Sequence, residues 1–271
     1  MNERPALSAE RAAYLRKIRR ETLLVRGSRA AIVFVFFALW EIAADTGLID
    51  AFIMSSPSRI AATTARLAAE GNLFQHIGIT CMETVAGFLL GTVLGTAIAM
   101  LLWWMPRLAR IMEPILVVLN SLPKIALGPV FIVWMGPGVG AIVVIGLAIS
   151  LITTVLEVHH GFSCTDPDKI KLVESFGASR AQVLQKVVLP ENLPTIVNAL
   201  KVNVGLSWVG VIVGEYLVSK AGLGYLIVYG GQVFRLDMVM ASVLILGVLA
   251  ALMYLCVLWL EKRITAAMIA A

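Results

Sequence analysis

Charge is what this chain lacks most. Only 14% of its 271 residues are charged, against 59% apolar, whereas soluble domains carry about 25% charged residues. One soluble core cannot hide that much apolar surface, which excludes a disordered chain and an ordinary cytosolic enzyme. A mean hydropathy of +0.90 points instead to a polytopic membrane protein. Cysteine is scarce too. Cys81, Cys164 and Cys256 lie far apart with no CxxC pair, so neither a disulfide scaffold nor a zinc site is indicated. His159 and His160 are adjacent, so their rings leave a helix in different directions, and His76 stands alone. No lysine follows a glycine, so the GxxxxGK[ST] phosphate loop is missing. HExxH and GxSxG are missing as well, since Gly205-Leu-Ser207-Trp-Val-Gly210 is one residue too long for the latter. The chain is expected to be a non-enzyme with no metal and no cofactor of its own.

Long apolar runs are what is there. Thr84–Pro106, the later part of Ile125–Leu156, and Val239–Leu260 carry no charge. Ala30–Ile49, Pro114–Gly136 and Ile196–Val218 complete a set of six if they hold Glu41, Asp45, Lys124, Lys201 and Glu215. Gly136-Pro137-Gly138 splits the long run Ile125–Leu156, predicting a hairpin at Gly136–Gly140. The fold class expected is all-α with six transmembrane helices. Sixteen Lys or Arg fall on one face of that topology, eight of them before Ala30, and four (Arg59, Arg66, Lys220, Arg235) on the other. The richer face is expected to be cytoplasmic, with both termini on it. Residues 1–29 form a basic cytoplasmic segment, 30–261 the membrane domain with a loop at 158–193, and 262–271 a cytoplasmic tail. The first span is expected to be an uncleaved anchor, and Arg11–Arg29 a basic amphipathic helix on the inner leaflet. Ala221–Phe234 is apolar but only 14 residues long, so a re-entrant or interfacial helix is expected. Small residues at Gly87, Gly91, Gly95 and Ala99, and at Gly210 and Gly214, form stripes for close helix packing within the subunit or across a dimer.

The loop His159–Leu193 reads as helix, turn, helix. Asp166 caps a helix with Pro167 in its first turn, Gly177 takes a positive φ, and Ser179 caps a second helix. Val183, Leu184, Val187 and Val188 give that helix an apolar face, and Pro190 and Pro194 are expected to close the unit.

Gly177, nine residues, then Val187-Val188-Leu189-Pro190 resembles the cytoplasmic loop of bacterial ATP-binding-cassette importer permeases. The family motif is Glu-Ala-Ala, three residues, Gly, nine residues, Ile-x-Leu-Pro. Other matching pieces span nearly the whole chain: Pro57, Glu83-Thr-Val-Ala-Gly-Phe88, Leu122-Pro-Lys-Ile-Ala-Leu-Gly-Pro129, Trp134-Met-Gly136, Gly214-Glu-Tyr216 and Gly222-Leu-Gly224. They resemble the nitrate/sulfonate/taurine-type branch. One departure is that Lys171-Leu172-Val173 stands in place of Glu-Ala-Ala, leaving Glu174 as a substitute for the family glutamate.

The resemblance implies a type I importer permease in the bacterial inner membrane. It implies a homodimer, two ATPase subunits that carry ATP and Mg, and an extracytoplasmic solute-binding protein. The loop is then a coupling helix seated in the ATPase, with Asp166, Lys171, Glu174, Gly177, Ala178, Ser179, Arg180, Leu189 and Pro190 as coupling residues. Spans three to six line the pathway, and Asn120, Ser121, Lys124, Lys201, Asn203, Ser207, Trp208 and Glu215 are the candidates to face it. For Lys201 and Lys124 a helix-to-helix hydrogen bond or snorkelling is the alternative. Glu215 is expected to pair with Lys124 or Lys220, and Glu41 to reach the outer headgroups. Two membrane lysines favour an anionic solute. An ion-coupled secondary transporter is the competing class; it requires interrupted helices in two related halves, and the charges do not repeat by halves. A membrane enzyme ranks third.

Overall fold

A computed structural model describes residues 9–270. Every regular element among them is helical: α1 (Ala9–Asp45), α2 (Ala51–Met54), α3 (Pro57–Ala69), α4 (Leu73–Trp104), α5 (Pro106–Ser121), a 3₁₀ turn (Lys124–Leu127), α6 (Gly128–Met135), α7 (Val139–Ser163), α8 (Pro167–Ser175), α9 (Arg180–Val183), a π-helical turn (Leu184–Val188), α10 (Leu189–Val218), α11 (Leu223–Gln232) and α12 (Leu236–Ala270). Five helical stretches are long and apolar enough to cross a bilayer: 17–45, 73–104, 139–163, 180–218 and 236–264. A sixth span is assembled from α5 and the Lys124–Met135 segment, which meet at 87°.

Pro123 is expected to kink the Pro114–Gly136 span, and the structure breaks the span there into two helices. Leu122 is extended (ψ 142°) because the ring of Pro123 disfavours a helical residue before it, and Pro123 itself offers no N–H. The expected hairpin after it is present. Gly136 (φ 78°) and Gly138 (φ 152°) take the positive φ that links α6 to α7.

Packing centres on α7, clasped between α4 and α10. A Cβ at Gly95 would lie 2.6 Å from Thr154 Cβ, and one at Gly91 would overlap Ser150. A Cβ at Gly210 would lie 2.5 Å from Gly146 Cα, and one at Gly214 would lie 3.0 Å from Ile142 Cα. The small-residue stripes therefore serve packing within the subunit, where missing side chains let backbones touch and gain dispersion contacts. The outer helices contrast with this core. Ile32, Phe34, Phe36 and Leu39 of α1 and Leu252, Leu255 and Trp259 of α12 are exposed, as surfaces facing lipid or another subunit must be.

The connection between α1 and α4 is fastened by polar contacts. Ser56 caps α3 with Pro57 in its first turn, and Ile60, Thr63 and Leu67 form the buried face of α3. Glu41 accepts both the backbone N–H (2.9 Å) and hydroxyl (2.6 Å) of Ser58. Its carboxylate thus holds the α3 entry rather than only reaching toward headgroups.

Candidate functional site

The loop Asp166–Pro190 is built as its residues require. Asp166 Oδ1 accepts the N–H of Asp168 at 2.9 Å and starts α8, with Pro167 in the first turn. Gly177 (φ 83°) reverses the chain, and the Gly177 and Ala178 amides close on Glu174 O (2.9 Å) and Val173 O (3.2 Å). Ser179 and Gln182 then form a reciprocal cap: Ser179 N–H donates to Gln182 Oε1 at 2.7 Å, and Gln182 N–H to Ser179 Oγ at 3.4 Å.

One side of this hinge is fixed to the bundle. Val183 and Val188 are buried with Ala99, Val158, Phe162 and Ala199. Arg180 donates to the Trp103 carbonyl at 3.2 Å, and its guanidinium lies 5.5 Å from the ring centroids of Trp103 and Trp104. Asn192 donates to Thr165 Oγ1 at 2.7 Å and to Val188 O at 2.9 Å. The apolar face expected on the second helix thus turns inward. Nor do Pro190 and Pro194 close the unit: the helix runs on through both into α10. The π-helical turn just before Pro190 widens the backbone where a proline ring would strike the carbonyl four residues earlier.

The other side is open. Phe176 is 83% exposed and Leu172 57%, large apolar groups on an otherwise polar loop. Phe176, Gly177 and Ala178, with Val173, Gln182 and Lys186, line a depression of about 310 Å³. Lys171 is exposed and pairs with Asp168 at 3.1 Å. Lys169 pairs with Glu191 at 2.9 Å, and that hydrogen bond holds its ammonium above the ordinary lysine range. Glu174 is exposed at the rim of a cleft of about 700 Å³ that also receives Glu113, His159 and Arg180. Leu189 and Pro190 lie at the start of α10.

The membrane candidates separate into two groups. Asn120 and Lys124 meet at the broken span, where Lys124 Nζ donates to Asn120 Oδ1 at 2.8 Å and Thr153 Oγ1 to the same oxygen at 3.4 Å. Ser121 caps back onto Val118 O at 2.7 Å, and Asn120 and Ser121 are exposed. Asn203, Ser207, Trp208 and Glu215 are instead buried. Asn203 donates to Thr154 Oγ1 at 2.6 Å and Thr92 Oγ1 at 3.1 Å. These side chains meet neighbouring helices in this conformation, because the glycine stripes bring α4, α7 and α10 too close to leave a channel there. Lys201 pairs with Glu261 of α12 at 2.7 Å. Glu215 pairs with no lysine: Thr80 donates to it at 2.6 Å and Gly224 N–H at 2.5 Å. Sequence reasoning passed over the partners Thr80 and Glu83; the signal was a glutamate inside a span, at Glu83-Thr-Val-Ala-Gly-Phe88.

A helical bundle with one span broken in its middle and a capped helical loop at one end has the architecture of a membrane transport subunit. The chain belongs to the family of binding-protein-dependent transport system inner membrane components, which it matches over residues 87–269. It is 30% identical over 235 residues to a probable ABC transporter permease protein of Haemophilus influenzae, covering 86% of this chain and 94% of that one. It is 29% identical over 231 residues to the putative aliphatic sulfonates transport permease protein SsuC of Bacillus subtilis, covering 85% and 83%. In fold it is similar to a chain of the MetNI methionine ABC transporter, with TM-score 0.63 and 22% identity over 74% of this chain and 98% of that one. The protein is therefore a non-catalytic, multi-pass permease subunit of an ATP-binding-cassette importer of the inner membrane, and its ATPase and binding protein are separate chains.

Proposed function

We propose that two copies of this chain form a homodimeric permease that passes a small sulfonate-like anion by alternating access. Each copy seats an ATPase, which binds ATP and Mg, on the Asp166–Pro190 loop, and both termini lie in the cytoplasm. The observation that carries this reading is the two-sided hinge. Val183, Val188 and Arg180 fasten it to the bundle, while Phe176 projects 83% exposed from its outer side. An apolar ring left in water beside a depression is the form of a docking anchor. A push on it reaches α10 directly, because α9 and α10 are one continuous helix.

The anion preference rests on Lys124. Of the two lysines placed in spans, Lys201 is neutralised by Glu261. Lys124 is bonded only to an amide oxygen, at a kinked and open part of the chain. It would meet a passing sulfonate when the broken spans of two subunits face each other.

Phe176→Asp tests the docking. The ATPase should co-purify at least tenfold less, while membrane insertion and thermal unfolding of the permease stay unchanged; undiminished co-purification sinks the proposal. Sidedness has a native reporter, because Cys164 is exposed at the entry to the loop. With Cys81 and Cys256 replaced by Ser, an impermeant maleimide should label Cys164 only after the cells are opened. Labelling in intact cells would place the hinge outside.

A further inference from the structure

The end of the bundle opposite the coupling loop holds a polar constellation that coupling does not use. Glu83 on α4 and Glu215 on α10 are each 1% exposed, and their carboxyl groups lie side by side. Their surroundings differ sharply. Glu215 accepts the Thr80 hydroxyl and the Gly224 amide. The adjacent amides at the start of α11 go to α4: Leu223 N–H to Thr80 Oγ1 at 2.8 Å, and Gly222 N–H to His76 Nδ1 at 2.9 Å. Three consecutive amides at the N-terminus of α11 thus end on side chains of its two neighbours, and such a helix end favours negative charge. The glycines make room for this. A Cβ at Gly222 would fall on the Glu215 carboxyl, and one at Gly224 would lie 2.7 Å from Glu215 Cβ.

Glu83 has the opposite setting. Both its carboxyl oxygens are buried without a donor. Among the described residues, no lysine or arginine forms an ion pair with either carboxyl. The titratable neighbours are His76 and Cys81 on α4, Tyr216 on α10 and Tyr225 on α11. The facing half of α7, residues 139–150, carries no titratable residue. Asp237 of α12 is taken up by Ser55 and Arg59. Two adjacent buried carboxylates without a cation would cost several kcal/mol per ion in desolvation alone, before their repulsion. One proton removes both difficulties. It neutralises one group, and it supplies the O–H that lets one orphaned carboxyl donate to the other.

We propose that this is a proton-binding site: Glu83 is a neutral acid donating to the Glu215 carboxylate, which keeps its charge at the N-terminus of α11. The proton is then a component of the joint fastening α11 to α4 and α10. The folded protein holds a proton that the unfolded chain releases at neutral pH. Stability attributable to the joint must therefore fall as pH rises.

The test uses the full-length transporter with its ATPase in lipid nanodiscs. Infrared spectra in H₂O and D₂O should show a protonated-carboxyl C=O band at neutral pH that disappears in Glu83→Gln. Glu83→Gln should still assemble, since the amide is the neutral isostere that can donate to Glu215. Its melting temperature should lose the alkaline decline seen in the wild type. Glu215→Gln should lower the melting temperature more than Glu83→Gln does, because it removes the charge facing the α11 amides. A wild type without the band, a band that persists in Glu83→Gln, or failure of Glu83→Gln to assemble overturns the proposal. The reverse order of the two variants overturns the placement of the proton. A melting temperature that rises with sodium in the wild type but not in Glu83→Gln identifies a metal cation as the occupant and overturns it also.

Discussion

The two ends of the bundle solve opposite problems. At the coupling end the polar groups are out in water, in pairs such as Lys171–Asp168 with side chains 73% and 84% exposed. There the apolar Phe176 is left uncovered. At the far end Glu83, Thr80, Glu215 and the α11 amides are sealed among helices. Between the ends, Asn203, Thr92 and Thr154 bond across three helices whose backbones touch at glycines. A surface that must take and release a partner keeps its contacts cheap to break. A membrane core that must move as a body has to find partners for its polar groups among its own neighbours, since lipid offers no substitute partner. Under the proposed coupling, force would enter at the exposed loop and be carried by the closely packed α4–α7–α10 unit.

The largest effect should come from breaking the stiff half. In Gly210→Leu the new Cβ would meet Gly146 Cα at 2.5 Å and Gly146 N at 3.1 Å. Both are backbone, so neither can swing aside. A cost of about 3 kcal/mol or more follows, seen as loss of a monodisperse peak in size-exclusion chromatography. Gly177→Leu is the matching change at the loose end. Nothing lies within 4 Å of its Cβ site, but φ is +83°. The left-handed conformation costs about 1–2 kcal/mol, confined to the hinge, so the bundle should still purify intact while ATPase association weakens. Equal damage from the two variants would erase the distinction between the halves.

The hinge was legible because its signals are local. Asp166, Pro167, Gly177 and Ser179 specify caps and a turn through their own backbone chemistry, and the structure realises each of them. The apolar runs were legible for the same reason: length and hydropathy need no tertiary information. What escaped depends on which helices meet. Asn203 and Ser207 look like pathway residues on an isolated helix, and only the α4–α7–α10 contact converts them into internal ones. Glu215 looked in need of a lysine because a single helix shows its charge but not the α11 amides that receive it. Pro190 read as a terminator because a π-helical turn cannot be seen in a residue pattern. Lys171-Leu172-Val173 departs from the family triplet, yet the helix cap around it is intact. The change therefore leaves the hinge geometry alone.

A smaller effect is expected at the junction of the two halves. Arg180 joins α9 to the end of α4 through the Trp103 carbonyl and two indole faces. Arg180→Ala should remove about 1 kcal/mol from local stability without unfolding the spans. Hydrogen exchange should therefore speed up over Pro167–Val188 and remain unchanged in α7. Faster exchange spreading through α7 would show that the loop is part of the stiff unit after all.

The smallest effect sharpens the comparison most, because two residues tie the same stretch of chain from opposite environments. Asn192 is 5% exposed and links Thr165 to Val188 O; Asn192→Ala leaves the buried Thr165 hydroxyl without this partner, at about 1–3 kcal/mol. Lys169 joins Glu191 with side chains 55% and 31% exposed, where water and salt compete for both charges. Lys169→Ala should leave the melting temperature unchanged within error and insensitive to salt. Its pH signature follows from the sign of the shift. Because the folded protein holds the Lys169 proton more tightly than the unfolded chain does, the pair contributes fully below the unfolded lysine pKa of about 10.4. That contribution is lost only as pH rises through the higher folded value. The small gap between wild type and Lys169→Ala should therefore stay constant, within error of zero, through the neutral range and close only in strong alkali. A gap that opens near neutral pH would mean that the exposed end is held by its charges, and the contrast with the buried Asn192 tie would fail.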